Sequence, residues 1–409
     1  MMSYVDTMKN SYIIYCAMAL SLLAGCKMAS SPSSDGPSSD GPSSDGPSSD
    51  GPSSEPVADI SGNKYWTSIA MSSNGKYLAA VVGGSSGDGR HIYTSSNSGK
   101  TWTDRSTPTG SEIAGNKSWF SIAMSEDGQK LAQKLAAVAF GGHIYTSLNS
   151  GATWTDRSTA AGSVIGGNKN WTSIAVSDNG KKLAAVVGGR LGGHLYTSSN
   201  YGATWTNRST AADSVSVIGG IKNWTSIAMS GNGEKLAAVA WGGHIYTSSN
   251  SGANWTDRST GAIAGNKNWY SVAMSPDGQY LAAVAYNGHI YTYSDSEATW
   301  TDRSTAAGSV IGGNKNWTSI AMSDDGQYLA AVVYRDHLYT SSNYGATWTN
   351  RSTAAGSVSV IGGTKSWFSI AMSDDGEKLA AVVRGGHLYT AMKSGTTWTW
   401  TDRSTQEAP

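Results

Sequence analysis

The side chains best suited to chemistry in this sequence recur at a nearly constant spacing. Each stretch of about 50 residues has one histidine, and a lysine recurs at an equivalent position in every stretch. Imidazoles bind metals and transfer protons near neutral pH, and ammonium groups bind anions, so either set would form an active centre if its members met. The histidines are His91, His143, His194, His244, His289, His337 and His387, and the lysines are Lys64, Lys117, Lys169, Lys222, Lys267, Lys315 and Lys365.

Even spacing argues against such a meeting. Equivalent residues of successive repeats occupy equivalent, separate places, so we expect neither a metal site nor a cofactor. In one interpretation, the histidines are hydrogen-bonded residues at strand starts and the lysines are solvated loop residues. The other is that they surround a binding face, for which the candidates are His143, His244, His289, His337, Lys117, Lys222, Lys267 and Lys315.

An arginine also recurs at an equivalent position of every repeat, and converging guanidinium groups would bind a carboxylate. Each arginine lies in the last strand-like segment of its repeat, which is the most polar of the four, as in "TWTDRS". An outermost fourth strand lies at least roughly 14 Å from the first at about 4.8 Å per strand, so we expect these side chains at the perimeter. They are Arg105, Arg157, Arg208, Arg258, Arg303, Arg351 and Arg403.

Aromatic residues form a third, less regular set. Phe140, Trp241, Tyr286 and Tyr334 end the second apolar segment of their repeats, and the first, third and seventh repeats lack an aromatic residue there. Aromatic faces beside polar groups suit a sugar ring or a protein partner. The alternative interpretation is packing at a sheet edge.

Two tryptophan landmarks define the repeats that must position these side chains. Trp66, Trp119, Trp171, Trp224, Trp269, Trp317 and Trp367 mark the starts of units one to seven, and a second tryptophan closes each unit. In unit six, "WTSIAMS", "QYLAAVVY", "HLYTS" and "ATWTNRS" are short extended segments separated by Asx and Gly turns. Four strands per unit, repeated seven times, predict an all-β, seven-bladed β-propeller with four antiparallel strands per blade.

A nonapeptide turn joins the third and fourth strands of each unit. Its pattern Ser95-x-Asn97-x-Gly99-x-Thr101-Trp102 resembles the Asp-box, or BNR, repeat of sialidases and related propellers. Asn replaces the family's Asp in most units, and either side chain can accept hydrogen bonds from backbone N–H groups of the turn while Gly takes a positive φ. We expect a structural role for this motif.

The resemblance makes an exo-sialidase-like glycoside hydrolase the first enzyme to test. Sialidases bring together an arginine triad, a Tyr–Glu pair and an Asp from different parts of the chain, whereas the arginines here are equivalent and the irregular acids are scattered. We therefore expect no enzymatic activity and no catalytic residues. The Asp-box pattern is also similar to that of propeller assembly factors of photosystem II, which implies a scaffold as another alternative.

The segment before the repeats indicates export. Residues 1–25 resemble a lipoprotein signal peptide ending in Leu23-Ala24-Gly25, with Cys26 as the lipidated residue. Residues 26–56 contain repeated "SSDGP" and predict a disordered linker, and residues 57–409 form the propeller domain. Lipid-anchored attachment to the bacterial cell envelope, at the outer membrane in a Gram-negative host, is the expected localisation.

Charge and anchor together suggest the class of partner. With 29 basic and 29 acidic residues the chain has no global charge that would attract nucleic acid. The expected function is that of a monomeric surface-binding or scaffold lipoprotein, whose partner is a glycan or a surface protein and whose membrane contact is the lipid anchor.

Overall fold

A computed structural model describes residues 57–84, 90–107, 111–125, 133–159, 163–210, 215–305, 309–353 and 358–405. The predicted signal peptide, Cys26 and the linker lie outside these ranges. In the described part of the chain, no helix has the length and apolar character needed to cross a membrane.

Short apolar segments bounded by Gly, Asn and Asp turns form the strands of the seven units. The first strands are β1 (Lys64–Met71), β5 (Trp119–Met124), β9 (Lys169–Val176), β13 (Trp224–Met229), β17 (Lys267–Met274), β21 (Lys315–Met322) and β25 (Lys365–Met372). The second strands are β2 (Leu78–Val82), β6 (Leu135–Gly142), β10 (Leu183–Val187), β14 (Leu236–Gly243), β18 (Tyr280–Gly288), β22 (Leu329–Asp336) and β26 (Lys378–Gly386).

The outer half of each unit is built from shorter strands. The third strands are β3 (Ile92–Ser95), β7 (Ile144–Ser147), β11 (Leu195–Ser198), β15 (Ile245–Ser248), β19 (Ile290–Ser294), β23 (Leu338–Ser341) and β27 (Leu388–Ser394). The fourth strands are β4 (Thr103–Asp104), β8 (Thr155–Asp156), β12 (Thr206–Asn207), β16 (Thr256–Asp257), β20 (Thr299–Asp302), β24 (Thr349–Asn350) and β28 (Thr397–Asp402). Single helical turns at Val215–Ile218, Gly261–Ile263 and Val358–Ile361 lie in links between units.

Each unit is an antiparallel sheet in which the strands pair in chain order. In unit one, Ile69 pairs with Ala80, Ala80 with Tyr93, and Tyr93 with Asp104. The same order recurs in the other units. The prediction of an all-β propeller built from four-stranded antiparallel sheets is therefore confirmed.

The core is divided among the junctions between neighbouring units. Leu78, Ala80 and Val82 pack in one cluster with residues of unit seven, whereas Ala79 and Val81 pack with unit two. Successive residues of a strand point to opposite faces, so a second strand with a unit against each face is apolar at every position. Each first-strand tryptophan is at most 1% exposed and lies in one of these clusters.

Hydroxyl groups of the first strands join every unit to the next. The N–H of Ile122 donates to Oγ of Ser68 over 3.2 Å, and the N–H of Ile69 donates to Oγ of Ser369 over 3.3 Å, which joins unit seven to unit one. The remaining pairs are Ile174–Ser121, Ile227–Ser173, Val272–Ser226, Ile320–Ser271 and Ile370–Ser319. The first strands thus form a closed inner ring around the axis.

The strand directions give the ring two different faces. We call the side where first strands begin and second strands end the link face, because the links between units also lie there. The side that holds the turns after first and third strands is the turn face. On the link face, several second strands continue past their own unit and pair with the next first strand, as Trp241 does with Asn268 and Arg384 with Tyr65. The repeat pattern of the sequence did not indicate this extension.

Candidate ligand-binding site on the link face

The nonapeptide turns are held together by their own side chains. Asn97 Oδ1 accepts from the N–H of Thr101 over 2.9 Å, Ser95 Oγ accepts from the N–H of Gly99 over 2.9 Å, and the Trp102 indole donates to the Gly99 carbonyl. Units two, three and six repeat these bonds. These hydrogen bonds agree with the predicted structural role, since the polar groups are used within the turn.

The recurrent arginines do not meet. Each Nε donates to a threonine of the third strand in the same unit, at 2.6 to 2.8 Å, as Arg303 does to Thr292. Burial lowers the pKa of Arg157, Arg208, Arg303, Arg351 and Arg403 from its ordinary value. Seven separate guanidinium groups held this way do not form a carboxylate-binding triad.

The histidines are likewise held inside their own units. Nδ1 of His143, His244 and His289 lies 2.6 to 2.7 Å from a carboxylate of the fourth strand, and His337 contacts Asp336 at 2.6 Å. Unit three has Asn207 at the carboxylate position, and Nδ1 of His194 has no hydrogen-bond partner in the described part of the chain. Among the described residues, no group of three His, Cys, Asp or Glu side chains could hold a metal ion.

The candidate lysines contact the rings of their own third strands. The ammonium groups lie 5.3 to 5.7 Å from the tyrosine centroids, a cation–π distance. The pairs are Lys117–Tyr145, Lys222–Tyr246, Lys267–Tyr291 and Lys315–Tyr339. Lys315 also reaches Asp336 at 3.1 Å. Each candidate histidine and lysine therefore stays in its unit, and neither set converges with its equivalents.

Three of the four aromatic candidates behave differently, because their rings contact rings of the first strands. The rings of Trp241 and Tyr286 are 5.5 Å apart although they belong to neighbouring units. Phe140 lies 5.8 Å from Phe120 of the first strand beside it. The guanidinium carbon of Arg335 lies 5.2 Å from the ring centroid of Tyr334. Burial raises the pKa of Tyr286. The nearby Tyr334 raises that pKa further, whereas the positive charge of Arg335 lowers it.

Three first-strand residues that were not among the sequence candidates join these rings across the axis. Phe368 lies 6.4 Å from Phe120 and 6.5 Å from Tyr270, measured between ring centroids. Units two, five and seven are not neighbours, so these contacts cross the inner ring. Tyr270 in turn lies 6.2 Å from Trp241 and 5.9 Å from Tyr286. We call Phe120, Phe140, Trp241, Tyr270, Tyr286 and Phe368 the axial aromatic cluster.

A signal for the missed residues was present in the sequence. Units one, three, four and six have a threonine directly after the first tryptophan, and its hydroxyl donates to the carbonyl of the next unit's tryptophan, as Thr67 does to Trp119 over 2.9 Å. Phe120, Tyr270 and Phe368 replace that threonine. Within the cluster Phe368 is 7% exposed and the other rings are half-buried. The cluster therefore presents aromatic surface at the link-face opening of the inner ring, which we call the mouth.

A cation completes the mouth. The guanidinium carbon of Arg384, at the end of β26, lies 4.3 Å from the Tyr65 centroid and 5.1 Å from the Phe368 centroid. Arg384 occupies the position at which units two, four, five and six have an aromatic residue. The link face therefore offers aromatic rings with an arginine seated on them.

Carboxyl groups gather at the other end of the axis, on the turn face. The turns after the first strands are joined by backbone hydrogen bonds, such as that from Asp374 N–H to the Ser73 carbonyl over 2.9 Å. The Asp324 and Asp374 side chains are hydrogen-bonded to each other. Burial and the neighbouring Asp324 carboxylate raise the pKa of Asp374 to about 7.

Comparisons with known proteins agree with the fold and extend no further. The family described as WD domain, G-beta repeat matches residues 258–294. A GH74 xyloglucanase from Xanthomonas campestris has a similar structure, with a TM-score of 0.59 and 15% identity over 85% of this chain and 55% of its own. An ancestral GH74 enzyme gives a TM-score of 0.61 and 16% identity over 85% of this chain and 47% of its own.

A second kind of neighbour is close to this domain in size. YCF48 from Cyanidioschyzon merolae has a TM-score of 0.54 and 13% identity over 80% of this chain and 94% of its own. YCF48 has also been solved bound to a D1 peptide, with 83% of this chain and 95% of that chain aligned. No curated protein matches the sequence. The chain is thus a β-propeller that spans about half the length of the similar GH74 chains.

Proposed function

We propose that this protein is a non-enzymatic binding module, lipid-anchored at the bacterial cell envelope, that holds a protein partner at the axial aromatic cluster. The observation that carries the proposal is the convergence of half-buried rings from units two, four and five, with Phe368 of unit seven, on one mouth of the ring. Near-identical repeats depart from their common sequence at the residues that meet there.

The composition of the mouth favours a protein ligand. Tyr, Trp and Arg are the residues most enriched where protein interfaces concentrate their binding energy, because they bury large rigid surfaces and keep polar groups. Arg384 on Tyr65 and Phe368 adds a cation to that surface. A propeller of similar extent, YCF48, is known bound to a D1 peptide, which supports a peptide segment as the ligand class.

Glycan binding is the second candidate function. It is favoured by the half-buried rings of Trp241 and Tyr286, which could stack on sugar rings. The structural likeness to GH74 enzymes is compatible with it, although at this identity the likeness concerns the fold. An array of glycans probed with the native protein and with Trp241→Ala would distinguish the candidates, because only a glycan-binding mouth would lose bound sugars when that ring is removed.

Hydrolase activity is disfavoured by the placement of the charged groups. Glycoside hydrolases place two carboxyl groups about 5 Å or more apart on either side of the bond they cleave. Asp324 and Asp374 are hydrogen-bonded to each other instead, and they lie at the end of the first strands opposite the aromatic cluster. Fluorogenic sialoside and xyloglucan assays should give no turnover above the buffer rate, and turnover abolished by Asp374→Asn would reverse this conclusion.

The binding proposal is tested with two substitutions that restore the residue of the other units. Phe368→Thr with Tyr270→Thr removes two central rings while supplying the hydroxyl that bonds between units elsewhere. Tyr201→Ser on the turn face is the matched control, because serine stands at that turn position in units one, two and four. Partners are first identified by crosslinking the native protein to envelope proteins, and are then purified. The purified partner should bind the control variant and should not bind the double variant. Equal binding to both would contradict the proposal.

The envelope anchor has its own test. Cys26 and the linker lie outside the described residues, and the proposal for them rests on the sequence Leu23-Ala24-Gly25-Cys26 and on the Ser-Asp-Gly-Pro repeats. Cys26→Ser should abolish labelling by a fatty-acid analogue and move the protein from the membrane fraction to the soluble exported fraction. A protein that stays in the membrane fraction after this change would refute the lipid anchor.

A further inference from the structure

The turn face contains a cavity that the link-face function does not use. It lies between units five and six and has a volume of about 430 Å³. Tyr280, Glu297 and Arg303 of unit five line it, with Tyr344 of unit six. Pockets of about 300 to 1,000 Å³ are the usual size for small-molecule ligands.

The corresponding cavities at three other junctions are smaller. They measure about 70 Å³ between units three and four, 230 Å³ between four and five, and 310 Å³ between six and seven. A lysine makes the contact across each of those three junctions: Lys182 with Ser251, Lys235 with Asp295, and Lys393 with Tyr328. At the junction of units five and six, two tyrosines meet instead, with their ring centroids 5.3 Å apart.

Departures from the repeat build this cavity. Unit five has Glu297 where the other nonapeptide turns have glycine, and the positive φ of 51° moves to Ala298. The Tyr280 ring lies directly against Gly326, where a Cβ atom would overlap it. Tyr344 has a φ of 57°, and its side chain extends from the turn and is 41% exposed. The Tyr280 ring is therefore confined by its contact with Gly326, and Tyr344 stands beside it on the neighbouring turn.

The polar groups of the cavity balance one another. Arg303 is fixed by its bond from Nε to Thr292 Oγ1 at 2.6 Å. Burial lowers the pKa of Arg303, and the negative charge of Glu297 opposes that shift. One guanidinium and one carboxylate leave no net charge, and together they supply donors and acceptors for neighbouring hydroxyl groups. The tyrosine rings supply apolar surface for the C–H face of a ring.

We infer that this cavity is a binding site for a neutral pyranose sugar, separate from the axial aromatic cluster. A carboxylate acceptor, a guanidinium donor and an aromatic platform match the two kinds of surface of a hexose, its hydroxyl edge and its C–H face. Glu297 opposes an anionic sugar at the same position. Sugar binding here goes beyond the proposed partner binding and does not depend on it.

The test uses the full-length protein and saturation-transfer NMR. The probes are the methyl glycosides of glucose, galactose, mannose and N-acetylglucosamine, with methyl glucuronide as the anionic comparison. At least one neutral glycoside should show saturation transfer, strongest at its ring C–H protons. Tyr344→Ala and Glu297→Gly should each weaken its affinity about tenfold or more. Glycine at position 297 restores the residue of the other turns, so folding is expected to survive.

Tyr201→Ala and Trp241→Ala are the controls. Tyr201 is the equivalent of Tyr344 in unit three, where it contacts Lys134 at 5.1 Å, and Trp241 belongs to the link face. Both variants should bind the sugar as the native protein does. The inference is overturned if no neutral glycoside gives saturation transfer, if only the glucuronide binds, if Tyr344→Ala retains full affinity, or if only Trp241→Ala loses it.

Discussion

The guanidinium carbon of Arg384 lies 4.3 Å from the ring centroid of Tyr65, and the two residues are also register partners of β26 and β1. This contact joins the last unit of the ring to the first. It also continues toward the axis, because the same guanidinium lies 5.1 Å from Phe368. Closure of the ring and construction of the aromatic mouth therefore share a residue.

Removing this cation should weaken closure. Arg384→Ala is expected to lower the free energy of unfolding by about 1 kcal/mol, since cation–π contacts in partly desolvated places contribute about that much. Arg335→Ala is the matched control: Arg335 is exposed and contacts a ring of its own unit, so its loss should stay within about 0.5 kcal/mol. Urea unfolding followed by tryptophan fluorescence measures both. Equal losses would mean that the contact with Tyr65 contributes nothing to closure.

The serine ring should protect specific backbone amides. Ser369→Ala leaves the Ile69 N–H without its 3.3 Å acceptor, and a buried amide without a partner costs about 1 to 3 kcal/mol. We expect faster hydrogen exchange at Ile69 and a lower unfolding free energy. In Ser226→Ala the amide that exchanges faster should instead be that of Val272. Unchanged exchange at both amides would show that these hydroxyl groups are not the effective acceptors.

The nonapeptide should tolerate a change of charge and not a loss of its acceptor. Asn343→Asp keeps the oxygen that accepts from Thr347 N–H over 2.9 Å, so stability should stay within about 0.5 kcal/mol. Asn343→Ala removes the acceptor and should cost about 1 kcal/mol. Thermal unfolding of the two variants separates these outcomes. A larger loss for aspartate than for alanine would refute the structural role we assign to the side chain.

The carboxyl pair on the turn face should make stability depend on pH. The pKa of Asp374 is raised from 3.8 to about 7. Between these values the folded chain keeps a proton that the unfolded chain has released, so the unfolding free energy falls as pH rises from about 4 to 7. Asp374→Asn should reduce this fall and be more stable than the native protein at pH 8. Denaturation curves at pH 4, 6 and 8 test the sign, which a parallel decline in both proteins would contradict.

Much of the unit architecture could be predicted because it is local. Ser95, Asn97, Gly99 and Trp102 lie within eight residues and bond to one another, and the pattern needs no distant partner. The separation of the arginines follows from repetition, since each is bonded within its own unit. Tyrosine positions in the third strands supply the partners that keep the candidate lysines in place, and these too recur with the repeat.

The extension of the second strands could not be predicted in this way. Trp241 pairs with Asn268 of the following unit, and its side-chain environment depends on how far one unit is rotated from the next. The sequence placed Trp241 and Tyr286 at equivalent sheet ends. Only the ring brought their centroids to 5.5 Å.

The sequence by itself determined four strands per unit, the turn chemistry and the isolation of the repeated charges, because short-range hydrogen bonding and strand alternation dictate them. The tertiary structure alone decided that Phe120, Tyr270 and Phe368 meet across the axis, and that Tyr280 and Tyr344 face one another between units. These residues are far apart in the chain and belong to different sheets. Their contacts exist because the ring closes, and closure is a property of all the units together.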